Sequence, residues 1–135
     1  MDEAKYREVK GWLMKGLRDL KSARQLMRGD EPLLDTAVYH CQQAAEKAIK
    51  AYLTYRNIPF EKTHNLVALL SLCLPLEPEF GVWKRMAEVL TPYATEFRYP
   101  GDVLEPSWEE AQEALLLAES FVRFILQRMP EDVRP

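Results

Sequence analysis

Glycine is scarce in this chain, with five in 135 residues. No stretch alternates apolar and polar positions for more than a few residues. Both absences argue against strands and point to an all-helical fold. Cysteine is limited to Cys41 and Cys73, without CxxC spacing; each falls in a helical apolar pattern and reads as a buried thiol in a reducing compartment. His40 and His64 are the two histidines. With no HExxH and no cysteine pair, zinc is not expected. The chain has no glycine loop that would cradle a phosphate and no nucleophile elbow, so the standard enzyme signatures are missing and no cofactor is implied. No apolar run approaches the roughly 20 residues of a membrane span. The opening "MDEAKYREVKGW" lacks the apolar core of a signal peptide, so a cytoplasmic protein is expected.

What is present is enough for one domain with a real core. The net charge of −3 is unevenly spread: residues 1–29 carry +4, residues 30–100 carry −2, and residues 101–135 carry −5. An acidic chain is a poor nonspecific binder of nucleic acid. Its basic N-terminal third, with Arg7, Lys10, Arg18, Lys21 and Arg28 on one side of a helix, leaves room for a local phosphate contact or an acidic partner, although such a row is most often a solvated face.

Helical spacing predicts an up-down antiparallel bundle of four long helices plus a short one. The first runs from about Glu3 to Arg28, with Gly29 as its terminal glycine. Gly11 and Gly16 within it are candidates for a close helix crossing. "DEPLLD" opens the second, whose inner stripe is Leu34, Val38, Cys41, Ala45, Ala48 and Tyr52. A short helix follows, with Thr63 or His64 near its cap and Leu66, Leu69, Leu70 and Cys73 inward. The fourth is expected from about Pro78 to Phe97, kinked or restarted at Pro92. "RYPGDVLEP" reads as a loop, and "SWEE" as a capping box for a last helix bearing Trp108, Ala111, Leu115, Ala118, Val122 and Ile125 inward. Residues 1–129 form the domain, and 130–135 are expected to be a flexible tail.

Two stretches carry candidate chemistry. In "YHCQQAAEKAIKAYL" the small residues form an inner arc, while His40, Gln43, Glu46, Lys47 and Lys50 lie on the opposite side or beside it. That set reads as a solvated face or a contact face for another chain, glutamine being less typical of a purely wet surface. Arg98 and Tyr99 end a helix and enter a loop, a place from which functional side chains project. With Tyr93 they could grip a phosphate and stack a base, or simply complement a helix dipole. His64 could cap a helix, fill a polar core position, or face a cleft.

Four pieces in order, "LRDLKSARQL", "YHCQQAAEKAIKAYL", "KTHNLVALL" and "Y…EFRYP", resemble the HEPN domain family, over about Val9 to Leu126. The resemblance implies a small antiparallel helical bundle that commonly dimerises and is often encoded beside a minimal nucleotidyltransferase, as a two-gene or toxin–antitoxin system. Many members are metal-independent ribonucleases whose motif is an Arg followed, after four to six residues, by a His. Here that motif is absent: the positions required before His40 are Leu33, Leu34 and Asp35, and those before His64 are Asn57, Ile58 and Pro59. The resemblance therefore implies a protein that binds a nucleotide or nucleic acid, or serves a nucleotidyltransferase. Arg98, Tyr99, His64 and Tyr93 are the ligand candidates, and His40, Gln43, Glu46, Lys47 and Lys50 the contact face. The alternatives are a divergent ribonuclease using Arg98 and His64, and a purely structural oligomerisation module.

Overall fold

A computed structural model describes residues 1–102 and 104–135, and every regular element among them is helical. The elements are α1 (Glu3–Leu26), α2 (Leu34–Tyr55), α3 (Leu66–Cys73), α4 (Lys84–Leu90) and α5 (Trp108–Leu126). Short 3-10 turns cover Pro78–Trp83, Thr91–Ala94 and Glu131–Val133. The fourth long helix expected from the sequence is thus an α-helix of two turns between two 3-10 segments. A proline stands in the first turn of each of those segments, Pro78 and Pro92, where no N–H is available to continue an α-helical ladder. Val103, in the expected "RYPGDVLEP" loop, lies outside the described residues.

Side chains cap three of the helix starts. Asp2 starts α1 by accepting from the Lys5 N–H at 2.8 Å. The Ser107–Glu110 capping box starts α5 with both reciprocal bonds made. At α3 the cap is Asn65, whose side chain accepts from Val67 and Ala68, in place of the expected Thr63 or His64. Helix α2 ends in a Schellman motif. Asn57 takes φ 61°, its N–H reaches the Thr54 carbonyl, and the Ile58 N–H reaches the Leu53 carbonyl. This reversal brings the segment 58–65 back along α2.

Helices α1 and α2 run antiparallel, as the partners Lys5 with Tyr55, Lys50 with Trp12, and Asp19 with His40 require. At Gly16 the two helices come close: a Cβ there would lie 3.4 Å from the Ala44 carbonyl oxygen and 3.6 Å from the Lys47 Cβ. Gly11, by contrast, faces open space. Helix α2 also packs on α5, and Ala37, Cys41, Ala45 and Ala48 of α2 and Ala111, Ala114, Ala118 and Val122 of α5 are all buried. Phe80 sits under the far end, 4.8 Å from the Tyr52 ring and 5.1 Å from Phe124.

Two further expectations need correction. Trp108 is 42% exposed, and the inner stripe of α5 runs through Ala114 and Phe121 instead. The terminal residues also pack: Val133 is fully buried, and the Tyr6 hydroxyl donates to the Asp132 carbonyl at 2.7 Å. Val133 supplies apolar burial that a frayed tail would lose. Because a Cβ at Gly16 meets only ordinary contact distances, Gly16→Ala is expected to hold or raise stability by up to ~1 kcal/mol. Gly16→Leu is expected to force α1 and α2 apart and lower the thermal midpoint by several degrees. Thermal unfolding of both variants checks this.

Candidate functional site

At about 100° per residue, Thr36, Tyr39, Gln43, Glu46 and Lys50 share one side of α2. From the sequence this is the side for solvent or another chain, and the structure corrects that reading. Gln43, Glu46 and Lys50 are only 8%, 4% and 7% exposed. The returning segment after α2 covers one flank and α1 the other, so these three cannot form a contact face for a second protein. His40 and Lys47 stay half-exposed, but both are held by Asp19 of α1, at 2.7 and 2.6 Å.

Glu46 is the centre of the enclosed set. One carboxylate oxygen accepts from His64 Nδ1 at 2.8 Å and from Gln42 Nε2 at 3.1 Å; the other accepts from Lys50 Nζ at 2.9 Å. Burial pushes its acidity up, but hydrogen bonds from Lys50, His64 and Gln42 outweigh it and hold the carboxyl below the usual 4.5. An ionised carboxylate can only accept, so His64 Nδ1 carries a proton and Nε2 is left to a side chain that is 66% exposed. The Lys50 ammonium also lies 5.7 Å over the Trp12 ring and 5.9 Å over Phe60. Gln42 makes a second bond to the His64 carbonyl at 2.9 Å, and Gln43 donates to the Gln42 oxygen at 2.7 Å.

Two turns toward the start of α2, Arg98 lays its guanidinium 4.1 Å above the Tyr39 ring. Phe97 before it takes φ 66°, a left-handed conformation that a bulky residue rarely adopts. Asp35, Thr36, Phe97 and Arg98 line an open cleft of about 230 Å³. Tyr93, expected to stack a ligand beside Arg98, is instead 7% exposed and stacked on Phe97 at 6.1 Å. Its phenol is pushed up by burial, then by the carboxylates of Glu110, Glu96 and Glu113. It belongs to the core because the 3-10 turn at Thr91–Ala94 points it inward. Tyr99 is 68% exposed, its backbone N–H bonded to Asp102.

The HEPN domain model matches residues 9–129. The chain belongs to the HEPN family. It is similar to TT1696 from Thermus thermophilus, with 29% identity, a TM-score of 0.73, and 91% of this chain and 99% of that one covered. It is also similar to ST0689, an archaeal HEPN homologue, with 26% identity, a TM-score of 0.70, and coverage of 89% and 96%. No curated protein matches.

Within this HEPN bundle, then, Arg98 meets Tyr39 at one end of the α2 strip and His64 meets Glu46 at the other, while Tyr93 is withdrawn. Sequence reasoning missed Gln42, Trp12, Phe60 and Asp19 as members. The ladder Gln42, Glu46, Lys50 at i,i+4 spacing was the available signal; the aromatic and α1 partners had none. No group of residues suited to hold a metal occurs among the described residues.

Glu46→Gln would leave Lys50 buried without its counter-charge and is expected to cost about 3 kcal/mol or more at neutral pH. A carboxyl held low stabilises the fold above pH 4.5 and loses that contribution as pH falls through its folded value. The gap between wild type and Glu46→Gln should therefore narrow on acidification below pH 4.5. Urea midpoints against pH measure it.

Proposed function

We propose that this HEPN protein binds a nucleotide or a segment of nucleic acid along the α2 strip, as the partner of a separate minimal nucleotidyltransferase in a two-gene or toxin–antitoxin-like pair. Arg98 carries the reading. Among the described residues it has no carboxylate partner; its face rests on Tyr39, and its N–H fork is left for a phosphate. Asp35, on the same cleft, is placed to accept from a sugar hydroxyl. The nucleotidyltransferase rests on the family resemblance.

A homodimer is supported by the groove between the end of α1 and the start of α5. Met27, Trp108, Leu115 and Leu116 line it, Leu116 being 65% exposed. A cytoplasmic location is supported by the two buried, unpaired thiols of Cys41 and Cys73, whose pKa values burial raises to about 12.

The ribonuclease alternative requires Arg98 and His64 to act on one phosphate. Their anchors, Tyr39 and Glu46, stand seven residues apart on α2, about 10 Å of rise. That spacing favours holding two parts of one ligand over joint attack at one phosphodiester. Arg98→Ala is expected to weaken nucleotide binding at least tenfold in calorimetry, with an unchanged thermal midpoint. Undiminished binding would remove Arg98 from the site. RNA cleavage in EDTA, lost in Arg98→Ala or His64→Ala, would favour the nuclease instead.

A further inference from the structure

Asp19 of α1 is 6% exposed and takes two donors from α2, Lys47 Nζ at 2.6 Å and His40 Nδ1 at 2.7 Å. A carboxylate beside an ammonium only accepts, so Nδ1 carries a proton and the ring is fixed with Nε2 turned away from Asp19. Nε2 has no protein partner among the described residues, and the His40 side chain is 27% exposed. It opens on a cleft. Ser22, Gln25 and Leu26 of α1 and Thr36 and His40 of α2 line a cavity of about 350 Å³, and no carboxylate is among them.

This cleft adjoins the Arg98 cleft, because Thr36 lines both. Tyr39 links them as well: the Arg98 guanidinium lies 4.1 Å over its ring, and the His40 ring meets it edge-on at 5.5 Å. Arg98 and His40 thus contact one tyrosine and are close enough to touch one ligand. Two hydroxyls, a carboxamide and an imidazole line the second cleft, a set of donors suited to a phosphate. The basic row of α1 runs beside it, Arg18 one turn before Ser22 and Lys21 one turn before Gln25. Arg7 and Arg24 of that helix are paired with Glu3 and Glu119. Arg18 and Lys21 are exposed and pair with no carboxylate among the described residues, so their field favours an anion there. The two phosphates of a diphosphate share one oxygen, whereas successive phosphates of a strand stand a ribose apart. Two clefts joined at Thr36, with the Tyr39 ring touching both cationic groups, fit the wider spacing.

We infer that His40 Nε2, with the Ser22 and Thr36 hydroxyls, holds a second phosphate, and that the ligand is a single strand whose successive phosphates sit on Arg98 and His40. His40 donates as an imidazolium, its charge balanced by Asp19 behind it. The inference rests on the nucleotide-binding reading above and selects a strand over a lone nucleotide. Calorimetry of the full chain with UMP, UDP and uridine 3′,5′-bisphosphate tests it, the bisphosphate standing for the strand. The bisphosphate is expected to bind about tenfold tighter than UMP or more, and UDP no tighter than UMP. In His40→Ala the bisphosphate should fall to the level of UMP, with UMP itself unchanged. In the unaltered protein the His40 ring protons, assigned against His64→Ala, should shift in NMR spectra with the bisphosphate and not with UMP. That measurement decides the role of His40 even if His40→Ala folds poorly, and unmoved signals would overturn it. Tight binding of UDP without a gain for the bisphosphate would overturn the strand. Equal binding of all three, lost in Arg98→Ala, would overturn the second phosphate site and leave the Arg98 site standing. No binding of any of the three would overturn both.

Discussion

A single buried carboxylate, that of Glu46, constrains most of the structure around α2. Placed near the middle of a 22-residue helix and 4% exposed, it would cost several kcal/mol if left unpaired. Its partners therefore have to arrive from defined directions. Lys50 and Gln42 come from one turn on either side of the same helix. His64 comes from the chain that returns after the Asn57 reversal, so the carboxylate determines where that segment lies. Lys50 in turn needs surroundings that tolerate an ammonium, and it has the faces of Trp12 from α1 and Phe60 from the returning segment. Three parts of the chain are thus tied to one charge.

This arrangement separates a rigid floor from an open rim. The floor is Gln42, Gln43, Glu46 and Lys50, mutually hydrogen-bonded and enclosed. The rim carries Arg98 and His64, the exposed cationic or titratable groups. Binding sites of this kind hold ligand contacts in place through supporting residues that never touch the ligand. The strained Phe97 belongs to the same division: its left-handed backbone turns the chain beside α2 so that Arg98 meets Tyr39, while its ring stays on Tyr93. The opposite end of the molecule is closed by a separate polar set, with Glu77 accepting from Tyr52 and Arg128 at 2.7 and 2.9 Å. It pins the Pro78 turn to the chain just beyond α5.

Much of the bundle was legible because local rules agreed with the tertiary result. Ser107 and Glu110 mark a helix start by chemistry that acts within one turn. The stripe from Leu34 to Tyr52 is inward because 3.6-residue periodicity needs no partner to be read. The fourth helix was less legible, since Pro78 and Pro92 announce breaks without saying whether 3-10 or α geometry follows. Trp108 was misplaced because a large apolar residue at the start of a helix reads as core, yet it sits on the open groove beside Met27.

By itself the sequence determined the helical class, the capping box that starts the last helix, the family and the missing ribonuclease motif, because each depends on residue types at short separations. Only the tertiary structure decided that Gln43, Glu46 and Lys50 are enclosed, that Tyr93 is withdrawn, and that Tyr39 rather than Tyr93 or Tyr99 carries Arg98. The physical reason is that a helical wheel sorts residues by angle but does not say what lies opposite each angle. On α2 the polar side meets α1 and a returning loop rather than water, and that depends on contacts between residues far apart in the chain.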